Sequence, residues 1–397
     1  MRAPLEGVRV IEVASFVAVP AAGTLLADLG ADVVKVEVPA GELYRHVRPR
    51  FFGHQSDFPE NPPFHMDNRG KRSIGLDLTR PEAQEAVRRM ADRAEIFLTN
   101  LLPARRRKYG LDHETLLARN PRLLVGAING YGSGGEEADR PAFDYAAYWA
   151  RTGMMDLMRD AGVAPSLQRP GVGDHAAAVN LVCGLLAAMR LRDADGRGRY
   201  VETSLFQTGL HVLGTDVSNA LVTGECPPRH DRTRPPNPLW NSYPTAGGRW
   251  VLLVMVEPDR YWPRLCAALE REDLRSDARF ATAGGRATHA AALVAELERT
   301  FQQRSLEEWR ARLDTAGLIW SPVQHVDEAA RDPQARAMGY FQEVEHPTAG
   351  RFETVGPPFR IEGTALGAHA AASPLHADAR AVLREAGLDE TEIDRLL

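Results

Sequence analysis

The stretch RPGVGDHAAAVNLVCGLLAAM, Arg169 to Met189, sets one carboxylate, Asp174, behind a Gly-Val-Gly turn. An almost wholly apolar run follows, broken by His175 and Asn180. Two kinds of chemistry suit an aspartate there. As an N-cap it accepts a backbone N–H and stabilises the helix by about 1 kcal/mol. As a reactive group at the start of a buried helix, it is held ionised by free N–H donors, which also favour an oxyanion forming beside it. An ionised carboxylate in a dry pocket can act as a nucleophile. The neighbouring glycines let backbone approach closely. The residues alone leave both readings open.

Other chemistries find less support. The turn after the first strand reads ASFVAVPAAG and lacks the GxGxxG that dinucleotide binding needs, although Glu37 ends the second strand where a ribose-binding acid would sit. His65, His113, His175, His230 and His325 are scattered, without metal-ligand spacing, so no metal is expected. YGSGG at 131–135 has the wrong order for a nucleophile elbow. The basic run ARRRKYG, 104–110, is a solvated helix face unless the strand end at 100–102 also lines a cleft.

The elements that must position these residues follow from periodicity. VRVIEVA, ADVVKVEVP, KRSIGLDL, EIFLTN and RLLVGAING read as strands. PAAGTLLADLG, RPEAQEAVRRMADRA and HETLLARNP read as helices between them. This alternation predicts an α/β fold, a parallel sheet covered on both faces. The Pro- and charge-rich segment 223–239 predicts a linker between a large domain, 1–222, and a small α+β domain, 240–320, with 321–397 returning to the large one. A net charge of −5 gives no reason to expect nucleic acid or membrane as partner. The longest apolar stretch, Ala176 to Met189, is short for a membrane span. Three widely spaced cysteines and the absence of a signal-peptide shape predict a cytoplasmic protein.

In order and spacing, PLEGVRVIEVASFVAVPAAGTLLADLGADVVKVE, NRGKRSIGLDL, NPRLLVGAINGYG, the Gly-Asp at 173–174 with its alanine-rich helix, and GRGRYVETSLFQ resemble the family III coenzyme A transferases. That family includes formyl-CoA transferase and the bile-acid and carnitine CoA-transferases. The resemblance implies a Rossmann-like large domain with a smaller domain, and two subunits interlocked as a homodimer. It implies CoA and acyl-CoA as substrates and no tightly bound cofactor. Asp174 matches the catalytic aspartate, which would carry the acyl group as an aspartyl anhydride and then CoA as an aspartyl thioester; Asp144 stands where formyl-CoA transferase has an orienting glutamate. Carried over as CoA contacts are Val17 and Ala18; Leu76, Asp77, Leu78 and Thr79; Asn100, Leu101 and Leu102; Lys108; and Pro141, Ala142 and Phe143.

Departures matter too. Val38 and Thr79 replace CoA-binding cations, which turns attention to Arg72, Arg105 or Arg106. The glycine run that covers the intermediate is missing, leaving Trp240 or Tyr243 to exclude water. Phe16, Tyr145, Trp149, Met154 and Met155 are either an acyl pocket or core. Two rivals remain. A 2-methylacyl-CoA racemase needs an acid–base pair, yet Phe143 stands at its histidine position and cannot carry a proton. In a non-catalytic CoA-binding protein Asp174 would only cap.

Overall fold

The computed structural model describes residues 3–47, 58, 60–160 and 162–397. β-Branched runs form strands β1 (Arg9–Val13), β2 (Asp32–Glu37), β3 (Arg72–Gly75), β4 (Ile96–Thr99), β5 (Leu124–Asn129) and β6 (Arg199–Ser204). They make one parallel sheet in the order β3-β2-β1-β4-β5-β6. The order reverses between β1 and β4, and in such sheets ligands bind beyond the carboxyl ends at that switch.

Helices cover both faces. On one, α1 (Ala18–Asp28) packs with α8 (Val172–Asp195) over Val10, Leu98, Leu124 and Ile128. On the other, α4 (Pro81–Ala91) and the helix Ala379–Glu385 cover Ile11, Val34, Ile74 and Phe97. Between them lie α2 (Leu43–His46), α3 (Pro62–Asn68), α5 (Pro103–Tyr109), α6 (His113–Arg119) and α7 (Met154–Leu157). After β6 come α9 (Leu205–Val212) and α10 (Gly214–Thr223). KRSIGLDL is strand only over its first half, since β3 stops at Gly75 and Asp77 turns the chain by accepting from the Thr79 N–H and hydroxyl.

The chain groups into two units, one of Met1–Asp156, Ser166–Cys226 and Gln334–Leu397, the other of Leu157–Pro165 and Pro227–Pro333. The second holds a three-stranded antiparallel sheet around Tyr243, Val251, Trp262, Phe301 and Trp309. Tyr243 belongs to that core, its hydroxyl donating to the Pro238 carbonyl, so it is not free to cover a reactive group.

α8 runs beyond the apolar stretch read from the sequence. Among the described residues it is the one helix long and apolar enough, by length and composition, to cross a membrane. One side of it is buried through Ala177, Leu181, Val182, Leu185 and Ala188, while Val172, Val179 and Leu186 are exposed. The expectation of a fully buried helix is therefore corrected to a half-buried one.

Candidate active site

The start of α8 is built differently from the sequence expectation. Its N-cap is Gly171, at φ +79°, and no side chain of its own caps it. Asp174 is the third helical residue. The capping anion comes instead from Asp144, 29 residues earlier, whose Oδ2 accepts the Gly173 N–H at 3.3 Å. Burial pushes the Asp144 carboxyl up, and the amides of Gly173, Tyr145 and Gly171 oppose that. Because those amides serve Asp144, Asp174 is not held ionised as expected. Burial first, and the charge of Asp144 second, push it up to about 7, with His175 pulling the other way. Gly173 lets this turn close. A Cβ there would lie 2.5 Å from Cγ of Tyr148.

Asp174 borders two cavities. One, of about 720 Å³, opens at the carboxyl ends of β1, β4, β5 and β6. Its wall includes Val17 and Ala18, Asn100, Leu101 and Leu102, and Pro141, Ala142 and Phe143, with Arg105 the cation. Asn100 ties two of these loops together, accepting from Ser15 N–H and donating to the Ser15 carbonyl. The other cavity, of about 630 Å³, is walled by Leu43, Tyr44, Val47, Pro63, Met66 and Arg169. Phe16, Val17, Phe143 and Tyr145 line both. Phe143 is exposed and meets Phe16 edge-on, ring centroids 5.2 Å apart.

The family model of CoA-transferase family III matches residues 5–378. The chain belongs to CoA-transferase family III. It is 30% identical over 390 residues to (R)-2-hydroxy-4-methylpentanoate CoA-transferase of Clostridioides difficile, covering 98% of this chain and 97% of that one. It is 32% identical over 397 residues to cinnamoyl-CoA:phenyllactate CoA-transferase of Clostridium sporogenes, covering 98% and 95%. Among solved structures, a CAIB/BAIF family protein from Brucella suis superimposes with a TM-score of 0.86 at 29% identity, over 97% of this chain and 100% of that one. The protein is thus a CoA-transferase, an enzyme of a family whose substrates are CoA thioesters.

In this CoA-transferase, not every expected contact reaches the larger cavity. Leu76 is buried in the opposite core, and Leu78 packs against it. Asp77 and Thr79 bond each other, and Lys108 is exposed on α5. None of the five is in the cavity wall. Of the candidate cations, Arg72 is held by Asp32 and Glu385, and Arg106 is buried against the Tyr200 hydroxyl. Arg105 alone of the three lines the cavity. Trp149 and Met154 are core, with Met155 packed on it, whereas Phe16 and Tyr145 are wall.

Sequence reasoning missed the groups beneath the site. Asp67, on α3, is buried and accepts from His175 Nε2 at 2.9 Å. Under it Lys71 Nζ donates to the Asp67 carbonyl at 2.8 Å and to Glu12 Oε2 at 2.8 Å. Glu12 also meets Lys35, which pairs with Glu42. Glu42 in turn accepts the Phe16 N–H at 2.5 Å, fixing a residue that sits at φ +65°. Apart from Asp174, Glu60, His65 and His346 bring ligand-type atoms within 4.8 Å of one another, a grouping their spacing conceals. His346 Nδ1 accepts the Ala349 N–H, so the proton of the neutral ring is on Nε2, facing Glu60, and that nitrogen is not free to ligate.

Proposed function

We propose that this enzyme moves CoA from an acyl-CoA to a carboxylic acid through covalent intermediates on Asp174. The observation that carries the reading is that one carboxylate, Asp174, borders both cavities, so that a thioester entering from one and an acid entering from the other meet the same oxygen atoms. The Asp174 oxygen attacks the thioester carbonyl, the C–S bond breaks, and CoA thiolate leaves an acyl–aspartyl anhydride. The thiolate attacks the aspartyl carbonyl and expels the donor acid, giving an aspartyl-CoA thioester. The acceptor carboxylate repeats the exchange in reverse order, and the thiolate finally takes its acyl group, restoring Asp174. Each step is a carboxylate–thioester exchange, which replaces one hard displacement with easier ones. Asp144 orients the turn that presents Asp174.

The larger cavity takes CoA, with Val17, Ala18, Asn100, Leu101, Leu102, Pro141, Ala142 and Phe143 as contacts and Arg105 toward its phosphates. The apolar second cavity takes the acyl body. Its lining, and relatives whose names specify 4-methylpentanoate and phenyllactate derivatives, favour acids with a branched or aromatic body. Phe143, which cannot carry a proton, argues against racemisation. We further propose an interlocked homodimer acting in the cytoplasm. Its support is the resemblance together with open apolar faces on α8 and α10, the latter having no buried residue.

The test is direct. Incubation with an acyl-CoA, trapping with hydroxylamine and mass spectrometry should locate modification on Asp174, and Asp174→Asn should show none. An unmodified Asp174 across aromatic, branched and small acyl-CoAs would sink the reading.

A further inference from the structure

The groups around His175 are strongly unbalanced in charge. Three carboxylates face this corner: Asp67 from α3, Asp144 from the segment before Tyr145, and Asp174 from α8 itself. Among the described residues, Lys71 and Arg69 are engaged elsewhere. Lys71 is bound to Glu12 and to backbone carbonyls below Asp67. Arg69 is paired with Asp28. Arg169 lines the second cavity and acts on the Tyr145 hydroxyl. Tyr44 faces the carboxylates but is kept neutral by burial and by their charge. Thr24 of α1, and Val355 and Gly356 near the C-terminal end of the chain, contribute no charge.

Among the described residues, His175 is the cation that pulls Asp174 toward ionisation, and it shares the wall of the second cavity with it. Its ring is fixed from one side: Nε2 lies 2.9 Å from Asp67 Oδ1. Asp67 is 2% exposed, and its Oδ2 has no hydrogen-bond partner among the described residues. That hydrogen bond holds the imidazole in place at the start of α8. Burial pulls the imidazole down, and Asp67, by charge and hydrogen bond, with Asp174, outweighs it.

We propose that His175, anchored by Asp67, is a positioning residue whose positive charge favours the anionic form of Asp174 when an acyl-CoA arrives. The proposal rests on Asp174 being the nucleophile. It gives His175 an electrostatic role: no bond to His175 forms or breaks, and no proton leaves it.

Single-turnover CoA release, read with a thiol reagent from pH 5 to 9, tests it on the intact enzyme with one acyl-CoA that acylates it. For His175→Gln, the pH midpoint of the acylation step should rise by about one unit, with the high-pH plateau within about threefold of the parent, so that acylation at pH 6 falls roughly tenfold. An unmoved midpoint overturns the proposal, whatever happens to the plateau. Asp67→Asn supplies an activity-independent reading. In imidazole-labelled protein, the His175 titration followed by nuclear magnetic resonance should fall by about one unit, and an unchanged His175 titration also overturns it. If the parent enzyme releases no CoA thiol at any pH, it is the nucleophile reading that fails, and the resonance titration still reads the ion pair.

Discussion

Asp174 combines a burial cost with a functional need, and its titration links the two. On the proposed mechanism, attack on a thioester needs the carboxylate, so acylation should climb with pH through about 7 and level off above it, a profile read by pre-steady-state CoA release. Stability should show the opposite sign. A carboxyl raised above its unfolded value costs nothing at acid pH, where both states are protonated, and the cost grows as pH rises toward the folded value. Asp174→Asn should therefore raise the melting temperature by about 2–4 °C at pH 8 and leave it unchanged near pH 4, by calorimetry. Asp174 itself was legible from its glycines and the apolar run after it. The N-cap reading of it fails, because Gly171 at positive φ moves the helix start three residues back and a distant aspartate supplies the anion. No local pattern records a hydrogen bond across 29 residues.

At the level of elements, two contacts set the site and each is open to a single change. Gly173 admits Tyr148 against the first turn of α8. Gly173→Ala should separate Asp144 from the turn, slow acylation by roughly tenfold or more and cost about 1–3 kcal/mol in urea unfolding. Within β1, Glu12 is fully buried between Lys35 and Lys71. Burial pushes its carboxyl up, and the two ammonium groups outweigh that; the same burial brings Lys71 down to about 8. Lys71→Met leaves Glu12 short of a partner, so a loss of about 3–5 kcal/mol is expected in denaturant melts. The strands and helices were readable because their apolar residues recur at the right periods. The burial of Glu12 and Lys35 inside RVIEV and DVVKVE is not legible, because lone charges in strands are usually solvated and only tertiary pairing makes burial tolerable. The expected contact at Leu76–Thr79 missed the cavity for a related reason: β3 ends before it, and Leu76 turns into the core.

For the molecule as a whole, the uncovered side of α8 is the outstanding feature. Val172, Val179 and Leu186 form one stripe, and Leu221 and Val222 of α10 are among the most exposed apolar side chains described. If a second copy covers them, light scattering should give twice the chain mass, and Val179→Glu with Leu186→Glu should shift the protein to monomer or prevent its accumulation. A monomeric parent enzyme would remove the dimer from the account. Such stripes have a helical period that the sequence displays, but whether core or partner covers them is decided by the fold. The two cavities raise a different matter, that of how such an enzyme can change. One wall comes from loops after four strands, while the other comes mainly from Leu43–Val47, Pro63–Asp67 and the turn before α8. Only a handful of residues serve both. Under the proposed division of the two cavities, selection, or a mutant library, can retune which acid is accepted by varying Leu43, Val47, Pro63 and Met66 while the grip on CoA stays untouched. New specificities are then a few substitutions apart, and none has to pass through an enzyme that has lost its common substrate.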